Sequence, residues 1–286
     1  MRKILLLFAM LLIPVFPARA EIKYEDVLEM GQRFEPRALE YMKREGAEII
    51  PTQDGRSFWV WWAPEGFDPK EDTVFVSLHG HQGWATKGFQ VWHPRLKGRK
   101  LAFLGIQWWY GRSAEWNGYA KPRDIYPWIQ EALAAKGIPP GHVIFEGFSM
   151  GGANSYAVAY FDKLQTTPYF AVIISNAGAM EADFPPNRPL LEQIGKSTPL
   201  AGAHWILYCS ENDEQREKAC EKMQWTYEQL KTLGATVEQF TRDPVGPHGG
   251  FMVPNISGPA LDLAQKIVRE SKRGQTLLAS KASDPF

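Results

Sequence analysis

The chain has 286 residues, 32 Lys plus Arg against 32 Asp plus Glu, 44% apolar residues, 13% aromatics and two cysteines. That apolar content excludes a disordered or collagen-like chain, and two cysteines are too few for a disulfide-scaffolded mini-protein. Formal neutrality gives no general attraction to nucleic acid or to an anionic membrane, and no local basic patch supplies one.

The N-terminus reads as an export signal. Met1-Arg2-Lys3 is basic, Ile4 to Phe16 is almost continuously apolar, and Ala18-Arg19-Ala20 is an A-x-A cleavage site. The apolar run falls short of the roughly 20 residues that a membrane-spanning helix needs. Cleavage after Ala20 leaves 266 residues with 29 basic and 32 acidic side chains, a formal charge of −3. The mature chain is then periplasmic or secreted, with no expected membrane partner. In such an oxidising compartment Cys209 and Cys220 are expected to form a disulfide.

The mature sequence, 21–286, reads as one α/β domain. A helix over 27–45 precedes two strand-like runs, 47–51 and 57–63, which flank Gln53-Asp54-Gly55 and predict a hairpin. Alternation follows, with strands over 73–78, 101–108, 142–148, 169–175, 205–209 and 236–241. Helices are expected over 87–96, 124–136, 151–164, 214–233 and 259–272. Repeated strand-helix units imply a mainly parallel central sheet with helices on both faces. Residues 178–199 interrupt the alternation at greater length than an ordinary connection, which makes them a candidate lid.

Gly147-Phe148-Ser149-Met150-Gly151-Gly152 follows a buried strand and opens a helix, the setting in which G-x-S-x-G forms a nucleophile elbow. A serine hydroxyl needs a base to take its proton and a carboxylate to orient that base. His248, in Gly246-Pro247-His248-Gly249-Gly250 after the last strand, is the candidate base. Asp213 in the loop after 205–209 is the candidate acid, with Glu211 its rival and Asp243 a third option. Asp213 could equally serve as a helix N-cap. The oxyanion donors expected are the backbone N–H groups of Met150 and of His81, with Gln82 the alternative to His81. His79 and His81 have no third ligand at suitable spacing, so neither a metal nor another cofactor is expected.

Leu78-His79-Gly80, the Ser149 elbow, Asp213 and His248 stand in this order, and the chain resembles an α/β-hydrolase over nearly all of its mature length. The segment Pro139 to Glu146 leading into the elbow is similar to secreted bacterial esterases related to feruloyl esterases and polyhydroxyalkanoate depolymerases. The resemblance implies a serine esterase acting on a small-molecule or polymer-derived ester. A serine peptidase on the same fold, or a non-catalytic carbohydrate or protein binder that retains it, are the alternatives. Trp84, Trp108, Trp109 and Phe148 are the candidate substrate contacts, because aromatic faces near strand ends suit a ring, a sugar or an acyl chain. Trp59, Trp61 and Trp62 are expected to pack the core.

Overall fold

Strand β1 (Glu48–Pro51) and strand β2 (Phe58–Trp62) form the expected antiparallel hairpin, with Glu48 opposite Trp61 and Pro51 opposite Phe58. In this computed structural model, which describes residues 22–282, the hairpin is one edge of an eight-stranded sheet; the segment expected to be an export signal, residues 1–20, lies outside the described residues. The other strands are β3 (Thr73–Leu78), β4 (Leu101–Ile106), β5 (Val143–Phe148), β6 (Phe170–Asn176), β7 (His204–Ser210) and β8 (Thr236–Asp243). The sheet order is β1-β2-β4-β3-β5-β6-β7-β8, and every pair from β4 to β8 is parallel. β3 and β4 are buried at every position, as are the first five residues of β5, and apart from Thr73, Ser77 and Glu146 their side chains are apolar or absent rather than alternating with polar ones. Burial on both faces requires that pattern.

The helices are α1 (Tyr24–Phe34), α2 (Pro36–Arg44), α3 (Ala85–Leu96), α4 (Pro122–Ala135), α5 (Met150–Lys163), the single turn α6 (Arg188–Leu191), α7 (Ala219–Thr232) and α8 (Pro254–Ala282). The chain moves one way along the sheet through α3 and the opposite way through α4, α5 and α7. Right-handed crossovers therefore set α3 on one face and the other three on the second. α8 joins the α3 face, where Arg95 Nε donates to Met252 O just before α8 begins (2.9 Å) and Arg99 pairs with Asp262. Among the described residues no helix is long and apolar enough to cross a membrane.

Three boundaries differ from expectation for local reasons. The single helix expected over 27–45 is two, broken at Glu35, because Pro36 disfavours helical backbone in the residue before it and begins α2 instead. The fourth strand stops at Ile106, and the Gln107 side chain turns to neighbouring backbone, accepting from Ala85 N–H (2.8 Å) and donating to Trp109 O (2.7 Å). The helix expected from 214 starts at Ala219, since Lys218 adopts a left-handed φ of 55° that a helix cannot contain. Trp59, Trp61 and Trp62 are buried in the hairpin, as expected. The disulfide between Cys209 at the end of β7 and Cys220 in α7 is present, with a sequence separation of 11.

Candidate active site

Ser149 stands between the last residue of β5 and the first of α5 with φ 54° and ψ −115°, a conformation L-residues rarely adopt. Its neighbours fix it there. Ser149 N–H donates to Asn176 O (2.8 Å), and Ala153 N–H closes the first helical turn on Ser149 O (2.9 Å). A Cβ on Gly147 would strike Gly151 O, and one on Gly151 would strike Leu78 O, so both outer glycines of the motif are required by close backbone approach. A third glycine has the same duty: a Cβ on Gly178 would strike Ser149 O. Nothing in the local sequence around Gly178 distinguishes it, because the contact is made across two strands. The N–H groups of Met150 to Gly152 precede the first helical hydrogen bond and point out of the start of α5.

The imidazole of His248 is held from two sides. Its Nδ1 lies 2.7 Å from Asp213 Oδ2, with both side chains almost fully buried, and its backbone N–H donates to Glu214 Oε2 (3.1 Å). His248 Nε2 is buried with no hydrogen-bond partner. The ring packs against Phe148, the residue before Ser149, at 5.2 Å between centroids. Asp213 divides its two oxygens: Oδ2 meets the imidazole, while Oδ1 accepts the N–H groups of Gln215 (2.9 Å) and Arg216 (3.0 Å). Orienting a histidine and capping a turn are thus performed together by one carboxylate.

The rival carboxylates are engaged elsewhere. Glu211 pairs with the exposed Arg242 (2.6 Å). Asp243 accepts from Val245 N–H (3.1 Å), Gly246 N–H (2.8 Å) and the Tyr208 hydroxyl (2.9 Å). Burial pushes the Asp243 carboxyl upward, but those three donors outweigh it and hold it below the ordinary carboxylate value. Asp243 therefore shapes the loop that carries His248 without touching the ring. Sequence reading missed Glu214 as a support for His248, because a glutamate within the acidic turn Glu211-Asn212-Asp213-Glu214 has no signature of its own.

After β3, His79 is buried and neutral. Its Nδ1 donates to Gly80 O (2.9 Å), its Nε2 accepts from Trp108 N–H (3.3 Å), and burial pulls its pKa down to about 4. The ring scaffolds the turn. Gln82 N–H donates to the Tyr119 hydroxyl (2.9 Å), which leaves His81 as the better placed of the two expected backbone donors. The His81 ring faces outward, near Ala114 O (3.2 Å).

A cavity of about 360 Å³ opens beside Ser149. Its lining includes Ser149, Phe148, Gly80, His81, Trp84 and Met252. Trp84 and Phe148 are thus at the site as expected. Trp108 is not: it is fully buried behind His79, to whose carbonyl its Nε1 donates (3.0 Å), so it packs the turn from beneath. Trp109 lines a separate groove with Phe34 and Arg112, on the other side of Trp84. Residues 178–199 pack beside α5 and α7, with Met180 N–H on Thr226 Oγ1 (2.9 Å) and Glu181 on Arg216 (2.7 Å), and none of them lines the cavity. The larger hollow, about 980 Å³, lies at the opposite edge of the sheet between Asp72, Lys100 and Arg269, and contains none of the candidate residues.

No protein-family model and no curated protein sequence matches the chain. Solved structures do match. One of the fungal esterases from Rhizomucor miehei superposes with a TM-score of 0.60 at 15% identity, over 86% of this chain and 91% of that one. An esterase from Pyrobaculum calidifontis gives 0.58 at 14%, over 86% and 94%. Esterase B from Lactobacillus rhamnosis gives 0.59 at 13%, over 89% and 98%. The sheet order and these likenesses make the fold that of the α/β-hydrolases, with esterases and lipases as structural neighbours. The narrower similarity to feruloyl esterases and polyhydroxyalkanoate depolymerases finds no support among them.

Proposed function

We propose that the chain is an exported serine esterase with Ser149 as nucleophile, His248 as general base and Asp213 as the acid that orients it. The observation that carries this reading is the buried pair of His248 Nδ1 and Asp213 Oδ2 at 2.7 Å, with the His248 ring packed on Phe148, the residue before Ser149. A carboxylate on one ring nitrogen fixes the imidazole tautomer and leaves the other nitrogen to act as the base. The strained backbone of Ser149 is a second mark of the site.

In the reaction, Ser149 Oγ attacks the ester carbonyl carbon as its proton passes to His248 Nε2. The C=O π pair moves onto oxygen, where the N–H groups of Met150 and His81 stabilise it. Collapse of the tetrahedral intermediate breaks the bond to the alcohol oxygen, which takes the proton back from His248, leaving the acyl group on Ser149. Water then attacks the acyl carbon as its proton passes to His248, and collapse breaks the bond to Ser149 Oγ, which takes that proton back as the acid is released. Asp213 Oδ2 fixes the imidazole tautomer, with Nδ1 as donor. Export is supported by the Cys209–Cys220 disulfide and by the tripartite N-terminal sequence.

Labelling with a fluorophosphonate tests the assignment. The wild-type protein should be modified at Ser149 and should hydrolyse p-nitrophenyl esters. Ser149→Ala should do neither while keeping its circular dichroism spectrum. Undiminished labelling of Ser149→Ala would refute the nucleophile, and a fully active His248→Ala would refute the base.

A further inference from the structure

Glycine is retained at one position of α3 where the backbone gives no reason for it. Gly88 is the fourth residue of the helix, and its N–H makes an ordinary helical bond to Trp84 O (2.9 Å). A Cβ placed there would meet only the Phe103 ring at 3.9 Å and Ser77 Oγ at 4.0 Å, which is normal contact. Gly147, Gly151 and Gly178 differ in kind, since at each of them a Cβ collides with backbone. A helix favours alanine over glycine, so a glycine with room for a methyl group is unfavourable for the fold alone.

What Gly88 does supply is space. It lines the cavity beside Ser149, and one helical turn to either side of it stand Trp84 and Trp92, which line the same cavity. Residues four apart share a helix face, so the missing side chain is a notch between two indoles. Ser77 forms the floor of that notch, and its hydroxyl is already committed to Glu146 Oε2 (2.8 Å). Val91, Phe148 and Met252 complete apolar walls, while Lys87, His81 and Gln215 are also at the lining.

Resting on the esterase reading above, we infer that this notch is the acyl pocket and that Gly88 sets its depth, admitting an uncharged apolar acyl group of medium length. The choice of acyl over alcohol follows from the proton. The leaving oxygen must sit at His248 Nε2 to be protonated, and His248 does not line the cavity whereas Ser149 does. At about 30 Å³ per water-sized group, 360 Å³ accommodates on the order of ten such groups, enough for a hexanoyl chain.

The test is a kcat/KM series with p-nitrophenyl acetate, butyrate and hexanoate on the mature wild-type protein, Gly88→Ala and Gly88→Leu. The wild type should prefer hexanoate to acetate. Gly88→Ala should lower the hexanoate-to-acetate ratio by about tenfold and Gly88→Leu by more, with acetate turnover changed less than threefold. The melting temperature of Gly88→Ala should be unchanged or about 2 °C higher, from helix propensity. A ratio unmoved in both variants, or acetate and hexanoate falling together, overturns the acyl pocket. A wild-type chain inert to every ester and to fluorophosphonate overturns the esterase reading and the pocket with it.

Discussion

Glu146 is the most demanding charge placement in the molecule, and its consequences can be worked out from the structure. It lies in β5 one residue before Gly147, fully buried, and accepts hydrogen bonds from Ser77 Oγ (2.8 Å) and Asn176 Nδ2 (3.1 Å), with the Trp92 side chain a third donor. Burial dominates those donors and raises its pKa from 4.5 to about 7. Between pH 4.5 and 7 the native state therefore keeps a proton that the unfolded chain has released. Stability contributed at this site falls as pH rises through that window and is level above it. A shift of about 2.5 units at 1.36 kcal/mol each amounts to about 3 kcal/mol.

Glu146→Gln removes the titration and keeps the shape. Asn176 Oδ1 is buried without a partner, so rotating the Asn176 amide would present an acceptor to the new side-chain NH₂. The variant should lie close to the wild type in stability at pH 4.5. Relative to the wild type it should gain about 3 kcal/mol by pH 8, or about 6 °C in melting temperature at this chain length. Urea unfolding of both proteins at half-unit pH intervals measures the difference directly, and subtraction cancels all other titrating groups. A difference that stays flat from pH 4.5 to 8 would refute the account of Glu146 as a buried acid protonated in the native state.

The acid assignment gives a ranking. Asp213→Asn should lower kcat/KM by roughly 10³-fold or more, and Glu211→Gln by less than threefold, because only Asp213 meets His248 Nδ1. Asp243→Asn should fall between them through the loop at Gly246, and a larger loss in Glu211→Gln would move the acid there. The disulfide closes a loop around Asp213, so the Cys209→Ala/Cys220→Ala variant should lose roughly 3 kcal/mol of stability. The intact mass of the unreduced wild type should be two daltons below that of its reduced form, and two free thiols in the purified mature protein would contradict the bond.

How much of the site was legible depends on how far each residue's reason lies from it along the chain. Gly147 and Gly151 flank Ser149 within one motif, so the elbow could be read from local spacing, and Asp213 and His248 followed from their positions after β7 and β8. The strands were legible because burial on both faces forces a continuous apolar run, whereas the break at Pro36 shifts a boundary by chemistry too local for hydrophobic periodicity to register. Gly178, Glu146 and Glu214 were not singled out. Each acts through a partner that only the folded sheet brings near: Gly178 on Ser149, Glu146 on Asn176 and Ser77, Glu214 on the His248 backbone. Trp108 shows the converse, a residue placed by sequence at the right strand end but turned inward, where it donates to His79 O instead of meeting substrate.

These supports share a geometry that bears on how the site keeps its shape. Asn176 accepts from Ser149 N–H through its backbone and donates to Glu146 through its side chain, while Glu146 takes the hydroxyl of Ser77 at the floor of the cavity. One chain of hydrogen bonds thus runs from the strained serine across β6 and β5 to the pocket floor on β3. On the other side, the Tyr208 hydroxyl donates to Asp243, which holds Gly246, and the Ser210 hydroxyl meets Gly246 O. The His248 loop is therefore tied to β7, the strand that also delivers Asp213 through a turn closed by the disulfide. With both partners of the imidazole-carboxylate pair anchored to the β7–β8 end of the sheet, their 2.7 Å separation is set by the sheet register rather than by the flexibility of two glycine-rich or polar loops. The energetic cost of the strained Ser149 backbone is borne by this surrounding network, in which Asn176 holds the Ser149 N–H and Glu146 holds Asn176.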